Sequence, residues 1–177
     1  MEDKVDEIAK RKGTYVIIEK AFRKLTDYNQ KYIDMANKTG YVETMPDLEV
    51  CPDRGYPLQC THTQWGRISP TVPLSYHVQG TATYVIFKAM LRVQAYLDKI
   101  NVGKKEEDKW FLTLQVHDEL VVDLPFNKGL TRTVKTHLRN IAREMETCGD
   151  CIDVPLTTGC EIHENNWSEG YEVKFND

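Results

Sequence analysis

The sequence has no apolar run long enough to span a bilayer, no internal repeat and no low-complexity tract. Residues 1–12 (MEDKVDEIAKRK) are charged throughout, so no secretion leader is expected there. Charge of one sign is also missing: 23 Lys and Arg against 27 Asp and Glu leave a formal net charge of −4. Bulk attraction of nucleic acid is thereby excluded, while a local cleft that carries metal ions is not. The cysteines number five, an odd count for a disulfide framework, and they point to reduced thiols in a cytoplasm.

What is present suits a packed domain. The 177 residues are 41% hydrophobic and 28% charged, enough for one core. Ile18, Phe22, Leu25, Tyr28, Tyr32 and Met35 recur three and four apart, which predicts an amphipathic helix after the break at Gly13. Lys38 and Gly40 form its stop signal. Five of the seven prolines fall within residues 41–75, which predicts irregular or edge structure there, of a length usually tied to function. Val78, Ala82, Val85, Ala89, Val93, Tyr96 and Ile100 predict a second long helix, with Ser75 as its cap. The polar stretch at residues 101–109 predicts a turn. WFLTLQV and ELVVDLP then read as a tight hairpin whose strands look too apolar to be exposed. Residues 128–146 carry one apolar stripe through Leu130, Val134, Leu138, Ile141 and Met145. A basic stripe runs beside it from Lys128 to Arg143. The segment DVPLTTGCEI is the last strand candidate. Helices, hairpin, helix and strand in that order predict an α+β fold, a small antiparallel sheet backed by long helices.

Chemistry concentrates at the hairpin apex. His117, Asp118 and Glu119 sit between apolar strands, where a tight turn projects a carboxylate on a rigid support. Such a support suits Mg²⁺, which demands oxygen ligands in near-octahedral array. Taken alone, the tripeptide is also an ordinary polar turn. Gln79 and Gly80 lie where the long helix opens. The Gln amide can donate to and accept from a base or sugar edge. Gly80, Thr81 and Ala82 are small enough to admit another backbone or a nucleic acid strand.

Four segments in order carry a resemblance: KTGYVET (38–44), HVQGTA (77–82), LQVHDELVVDLP (114–125) and VPLTTGCEIHENNW (154–167). Together they resemble the C-terminal third of the family A DNA polymerases, the DNA polymerase I type, over residues 6–170. The run PLSYHVQGTA is similar to phage members more than bacterial ones, which implies a host cytoplasm as the location. The resemblance implies that residues 1–40 are the helical end of the fingers subdomain and residues 41–177 the C-terminal part of the palm, with the motif C hairpin in its sheet. It further implies that Asp118 binds the catalytic metal ions, with Glu119 as its acidic support. His117 would approach the primer terminus and Gln79 would contact the duplex. The implied cofactor is Mg²⁺, two ions, and the implied partners are primer–template DNA and deoxynucleoside triphosphates, with no membrane. The sequence departs from the family at Ser75, where many members have Asn, and at Tyr84, where an Asp is common. PDLEVCPDRGY (46–56) replaces the usual Gly-Arg-Arg.

The family's second metal-binding aspartate, in a DYS-like motif, and its nucleotide-binding helix do not occur in these residues. A split or truncated polymerase is therefore expected, inactive as the isolated chain and completed by an upstream polypeptide. Two other readings stand beside it: a non-catalytic polymerase-derived binding or assembly module, and a small zinc-binding protein. The last rests on Cys148, Cys151, Cys160 and His163, whose pairs have zinc-ligand spacing. Cys51, Cys60 and His62 form a weaker set. The basic stripe at 128–146 reads as a solvated face, and the N-terminal aromatic stripe as core.

Overall fold

The computed structural model describes residues 23–62, 66, 68–125 and 129–175. Its elements are α1 (Arg23–Thr39), β1 (Tyr41–Glu43), β2 (Pro57–Gln59), α2 (Thr71–Asn101), a 3₁₀ turn at Glu106–Asp108, β3 (Phe111–Val116), β4 (Glu119–Asp123), α3 (Arg132–Glu146), β5 (Glu161–His163) and β6 (Gly170–Glu172). The fold is α+β, with the sheet expected from sequence present as three antiparallel pairs, β1–β2, β3–β4 and β5–β6. Two compact units share the chain. The first takes residues up to Met45 together with Arg54–Thr81, and the second takes Pro46–Asp53 and everything from Ala82. Gly13, Ile18, Phe22 and Lys128 lie outside the described residues.

In the first unit, α1 buries Tyr32 and Ala36, while Leu25 of the expected stripe is exposed. The helix ends as its sequence predicts. Lys38 stands in the last turn, and Gly40, at φ +80°, donates its N–H to the Ala36 carbonyl (2.8 Å). The following strand β1 pairs with β2 in the register Tyr41↔Gln59, Val42↔Leu58 and Glu43↔Pro57. Pro57 opens β2, where a missing donor costs the ladder least. His77 is buried between the two helices' residues: its ring stacks on Tyr32 at 3.9 Å. Its Nδ1 lies within hydrogen-bond reach of the Glu43 carbonyl, which only accepts, so Nδ1 carries the proton. Glycine at position 55 is obligatory, because a Cβ there would meet the Thr44 carbonyl oxygen at 1.8 Å.

Helix α2 begins at Thr71, four residues ahead of the Ser75 cap expected from sequence. Pro73 is tolerated because first-turn N–H groups have no partner within the helix. Its first buried positions are Pro73, His77 and Thr81, not Val78 and Ala82, which are exposed. His77 and Thr81 took two of those places because each finds a backbone partner. The Thr81 hydroxyl, for example, donates to the His77 carbonyl (2.7 Å) and accepts from the Met45 N–H (2.9 Å).

The core of the second unit is Val93, Leu97, Trp110, Leu138, Ile141, Ile162 and Val173. The Asn101 side chain clamps the end of α2 to the start of β3, accepting from Trp110 N–H (2.9 Å) and donating to its carbonyl (2.8 Å). Helix α3 is capped by Thr131, whose hydroxyl accepts from Val134 N–H. Of the expected last strand, Glu161 and Ile162 are paired, in β5, which runs on to His163.

In the β3–β4 hairpin, Leu112 pairs with Val122 and Leu114 with Val121, so Thr113 is an extra residue, a β-bulge. The bulge shifts the alternation. Leu112, Leu120 and Val122 face the core, whereas Phe111, Leu114 and Val116 are 41%, 51% and 38% exposed. The strands expected to be buried are therefore buried on one face only.

One ionic cluster organises the loop at Pro46–Asp53. Lys88, 7% exposed on α2, places Nζ 3.2 Å from Asp47, 3.0 Å from Glu49 and 3.0 Å from Asp150. Arg92 extends the cluster to Glu49 (2.6 Å) and to the Thr147 carbonyl at the end of α3 (2.8 Å). Asp47 is 0% exposed, and its Oδ1 accepts from the Glu49 and Val50 N–H groups. Burial alone would raise its pKa. The two backbone donors and Lys88 overcome that and hold it below the usual carboxylate value. For Lys88, burial acts to lower the pKa, and the three carboxylates reverse the shift.

Replacing Lys88 with Met leaves Asp47 buried without its cation, and we expect a loss of about 3–5 kcal/mol in urea unfolding. Lys99→Met, at an exposed position on the same helix, should stay within about 0.5 kcal/mol. Because the folded pKa of Asp47 is depressed, its contribution is present above the ordinary carboxylate range, about pH 4, and lost as pH falls through the folded value. Lys88, raised, contributes throughout that window. The wild-type urea midpoint should thus fall below about pH 4, with a shallower acid limb in Lys88→Met.

Candidate active site

Val116 pairs with Glu119, so the hairpin loop is two residues, His117 and Asp118. His117 has φ 55°, and among the described residues it is the one non-glycine with positive φ. Positive φ at the first loop position alone is the pattern of a type II′ turn, where glycine is usual. An L residue there costs roughly 1–2 kcal/mol. The Gln115 amide offsets part of this by donating to the His117 carbonyl, tying the loop to β3.

His117, Asp118 and Glu119 are brought together as the sequence predicts, and all are exposed. Neither carboxylate has a hydrogen-bond or ion-pair partner among the described residues. An exposed carboxylate with no cation or donor of its own, on a support this short, fits a divalent ion that keeps part of its water shell. Asp118 belongs to no cluster of three or more His, Cys, Asp or Glu ligand atoms among the described residues.

Asp118–Leu124 also border an open trough of about 900 Å³. Its other lining comes from Thr113, from Leu138, Ile141, Ala142 and Met145 of α3, from residues 157–167 and from Glu172. No Lys or Arg lines it.

Gln79 is exposed on α2 and belongs to the first unit, whereas the hairpin belongs to the second. The close approach expected at Gly80 is real, but its occupant is protein. A Cβ on Gly80 would lie 2.2 Å from Leu58 Cδ1 of β2 and 3.4 Å from Thr44 Cγ2. This corrects the expectation that Gly80 admits a nucleic acid strand.

The zinc spacing is not matched in space. Among the described residues, neither Cys148, Cys151, Cys160 and His163 nor Cys51, Cys60 and His62 converge as a metal-holding group. The Cys148 thiol points to the Met145 and Val85 carbonyls (2.8 and 3.4 Å), and burial raises the thiols of Cys148, Cys151 and Cys160. Thiolates, the form zinc needs, are disfavoured there. His163 instead lies 3.6 Å from Glu161 and packs over Gly170, where a Cβ would be 2.3 Å from its ring.

The carboxylates that do converge are Asp47, Glu49 and Asp150. Their centre is filled by the Lys88 ammonium, so the cluster is an ion-pair network rather than a vacant cation site. The sequence reading missed it. Its signal was that Lys88 is the sole Asp, Glu, Lys or Arg in residues 71–91.

The strain at His117 can be measured. His117→Gly should raise stability by about 0.5–1 kcal/mol, the relief of positive φ less the entropy of glycine, and His117→Val should lower it by about 1–2 kcal/mol. Urea unfolding of the two variants checks the sign of each.

No curated protein matches the chain. The family model for DNA polymerase family A matches residues 9–169, nearly the whole of this chain, and that span contains the hairpin, Gln79 and the trough lining apart from Glu172. The chain belongs to DNA polymerase family A.

Proposed function

We propose that this chain supplies the motif C part of a nucleotidyl-transfer site, adding deoxynucleotides to a primer 3′ end on a DNA template. The observation that carries the proposal is the exposed, unpartnered carboxylate of Asp118 on a strained two-residue turn, inside the span that matches the family. Residues 41–177 would form the C-terminal part of the palm and residues 1–40 the end of the fingers. The complementary aspartate would come from an upstream polymerase portion. That accords with Asp118 belonging to no cluster of three or more potential metal ligands among the described residues.

Asp118 would hold two Mg²⁺ ions jointly with that second aspartate. When bound, such ions lower the pKa of the attacking 3′-hydroxyl and neutralise charge on the transferred phosphoryl group. Glu119, next to Asp118 and also unpartnered, keeps the local potential negative and orients waters of the shell. His117 is displayed by its φ at the tip, where its ring can meet the primer end. Gln79 presents an exposed amide to the duplex. The hairpin's anchorage, through the core residues Leu112, Leu120 and Val122, sets Asp118 in place before substrate arrives. Among the described residues, no helix is long and apolar enough to cross a membrane.

The isolated chain should not extend a primer, and adding the upstream portion should restore Mg²⁺-dependent synthesis. In the restored enzyme, Asp118→Asn should cost at least about a thousandfold in single-turnover incorporation, several kcal/mol of transition-state stabilisation. Glu119→Gln should cost roughly 10–100-fold. Both variants should keep primer–template binding, measured separately, because phosphate contacts elsewhere carry much of it. Near-normal incorporation by Asp118→Asn, or a larger loss from Glu119→Gln, would overturn the assignment of the metal ligand.

A further inference from the structure

Among the described residues, β1 is hydrogen-bonded to β2 alone, so its other edge must be met by something else. On the β2 side, the Cys60 N–H donates to the Gly40 carbonyl (2.9 Å) and the Thr44 N–H to the Tyr56 carbonyl (3.0 Å). Successive residues of a strand turn their backbone groups to opposite sides, so Glu43 and Met45 face the free edge. Helix α2 meets them there. His77 Nδ1–H donates to the Glu43 carbonyl, and the Thr81 hydroxyl accepts from the Met45 N–H (2.9 Å). The spacings match: four residues of helix rise about 6 Å, and two residues of strand advance about 6.6 Å. Side chains one helical turn apart thus take the two bonds that a third strand would have made. The Thr81 hydroxyl also donates to the His77 carbonyl (2.7 Å), which locks the pair together.

Histidine is unfavourable here in one respect. His77 is 2% exposed, and its Nε2 is buried with no hydrogen-bond partner among the described residues. Phenylalanine would keep the stack on Tyr32 and the edge contact with Tyr28 without that orphaned acceptor. What the imidazole adds is the Nδ1 donor. Gln79, between His77 and Thr81 in sequence, is exposed on the outward side of the same turn.

We infer that His77 is a positioning residue for Gln79. Its Nδ1–H, with the Thr81 hydroxyl, fixes the rotation and axial setting of the first turns of α2 against β1, and so fixes where the Gln79 amide is presented. That this amide meets the duplex rests on the function proposed above. A contact made by hydrogen bonds tolerates little displacement, because such bonds weaken steeply with distance and angle.

Two measurements test this. In the chain alone, hydrogen exchange at the Met45 amide should be at least about tenfold faster in His77→Phe, because one of the two ties is lost. In His77→Asn, whose side-chain amide can donate to Glu43 from the Nδ1 position, it should stay within about threefold of wild type. In the enzyme restored with the upstream portion, Gln79→Ala should raise the primer–template dissociation constant about tenfold. His77→Phe should raise it at least about threefold through misplacement, and His77→Asn should restore most of that affinity. Adding His77→Phe to Gln79→Ala should weaken binding no further, because the ring acts through that amide. Thr81→Val keeps the shape, loses the hydroxyl and should repeat the cycle with Gln79→Ala, so the test stands even where His77→Phe does not fold. Unchanged exchange at Met45 in His77→Phe, or an Asn variant as damaging as Phe, overturns the inference. Additive losses in the cycle overturn the inference alone and leave the duplex contact of Gln79 standing. Full affinity in Gln79→Ala removes that contact and the inference with it.

Discussion

A single ammonium group inside the second unit decides where a loop can lie. Asp47 is fully buried, and a buried carboxylate without compensation is among the most costly things a protein can contain. Lys88 meets it from 41 residues along the chain and binds Asp150 from 62 residues the other way. Loop, helix and the turn after α3 are thereby fixed by charges that could not be buried singly. The α3 helix in turn carries Leu138 and Ile141, which join the core against which Leu112, Leu120 and Val122 of the hairpin pack. The placement of the exposed acidic tip thus depends on a chain of contacts that includes an ion pair far from it in sequence.

The tip itself is built differently. Among the described residues nothing neutralises Asp118 or Glu119, and the turn between the strands takes a conformation that glycine would adopt more cheaply. A histidine kept at such a position is consistent with a side chain needed there, since strain persists where the surroundings over-determine it. The structural charges are paired, with Asp47 and Lys88 buried among them, and the charges proposed for chemistry are unpaired among the described residues and exposed. That contrast distinguishes the Asp47 cluster from Asp118 more sharply than proximity of carboxylates alone.

Much of this was legible in the sequence. The hairpin followed from two β-branched runs separated by His117 and Asp118, and the stop of α1 from Lys38 and Gly40, because each signal is local. The amphipathic stripe of α3 was legible for the same reason. What escaped was set by partners distant in sequence. Ser75 is a residue type that caps, but His77 and Thr81 are tied into the first unit by contacts with Tyr32, Glu43 and Met45, and the helix starts earlier, at Thr71. Gly80 announced a close approach without naming its occupant, Leu58. The cysteines had metal spacing along the chain, yet spacing constrains direction weakly, and the Cys148 thiol turned to backbone carbonyls. Of the candidate site, the triplet was visible together, whereas the spatial relation of Gln79 to it is no property of local pattern.

The bulge at Thr113 has a bearing on how this protein can change over time. The surplus residue sits where the ladder already skips, so removing it would leave Leu112 opposite Val122 and Leu114 opposite Val121, now in unbroken register. A deletion there keeps every face, whereas a deletion or insertion elsewhere in β3 turns one end of the strand over unless the bulge absorbs it. Changes in the length of this strand should therefore collect at one position among descendants and be filtered at the others.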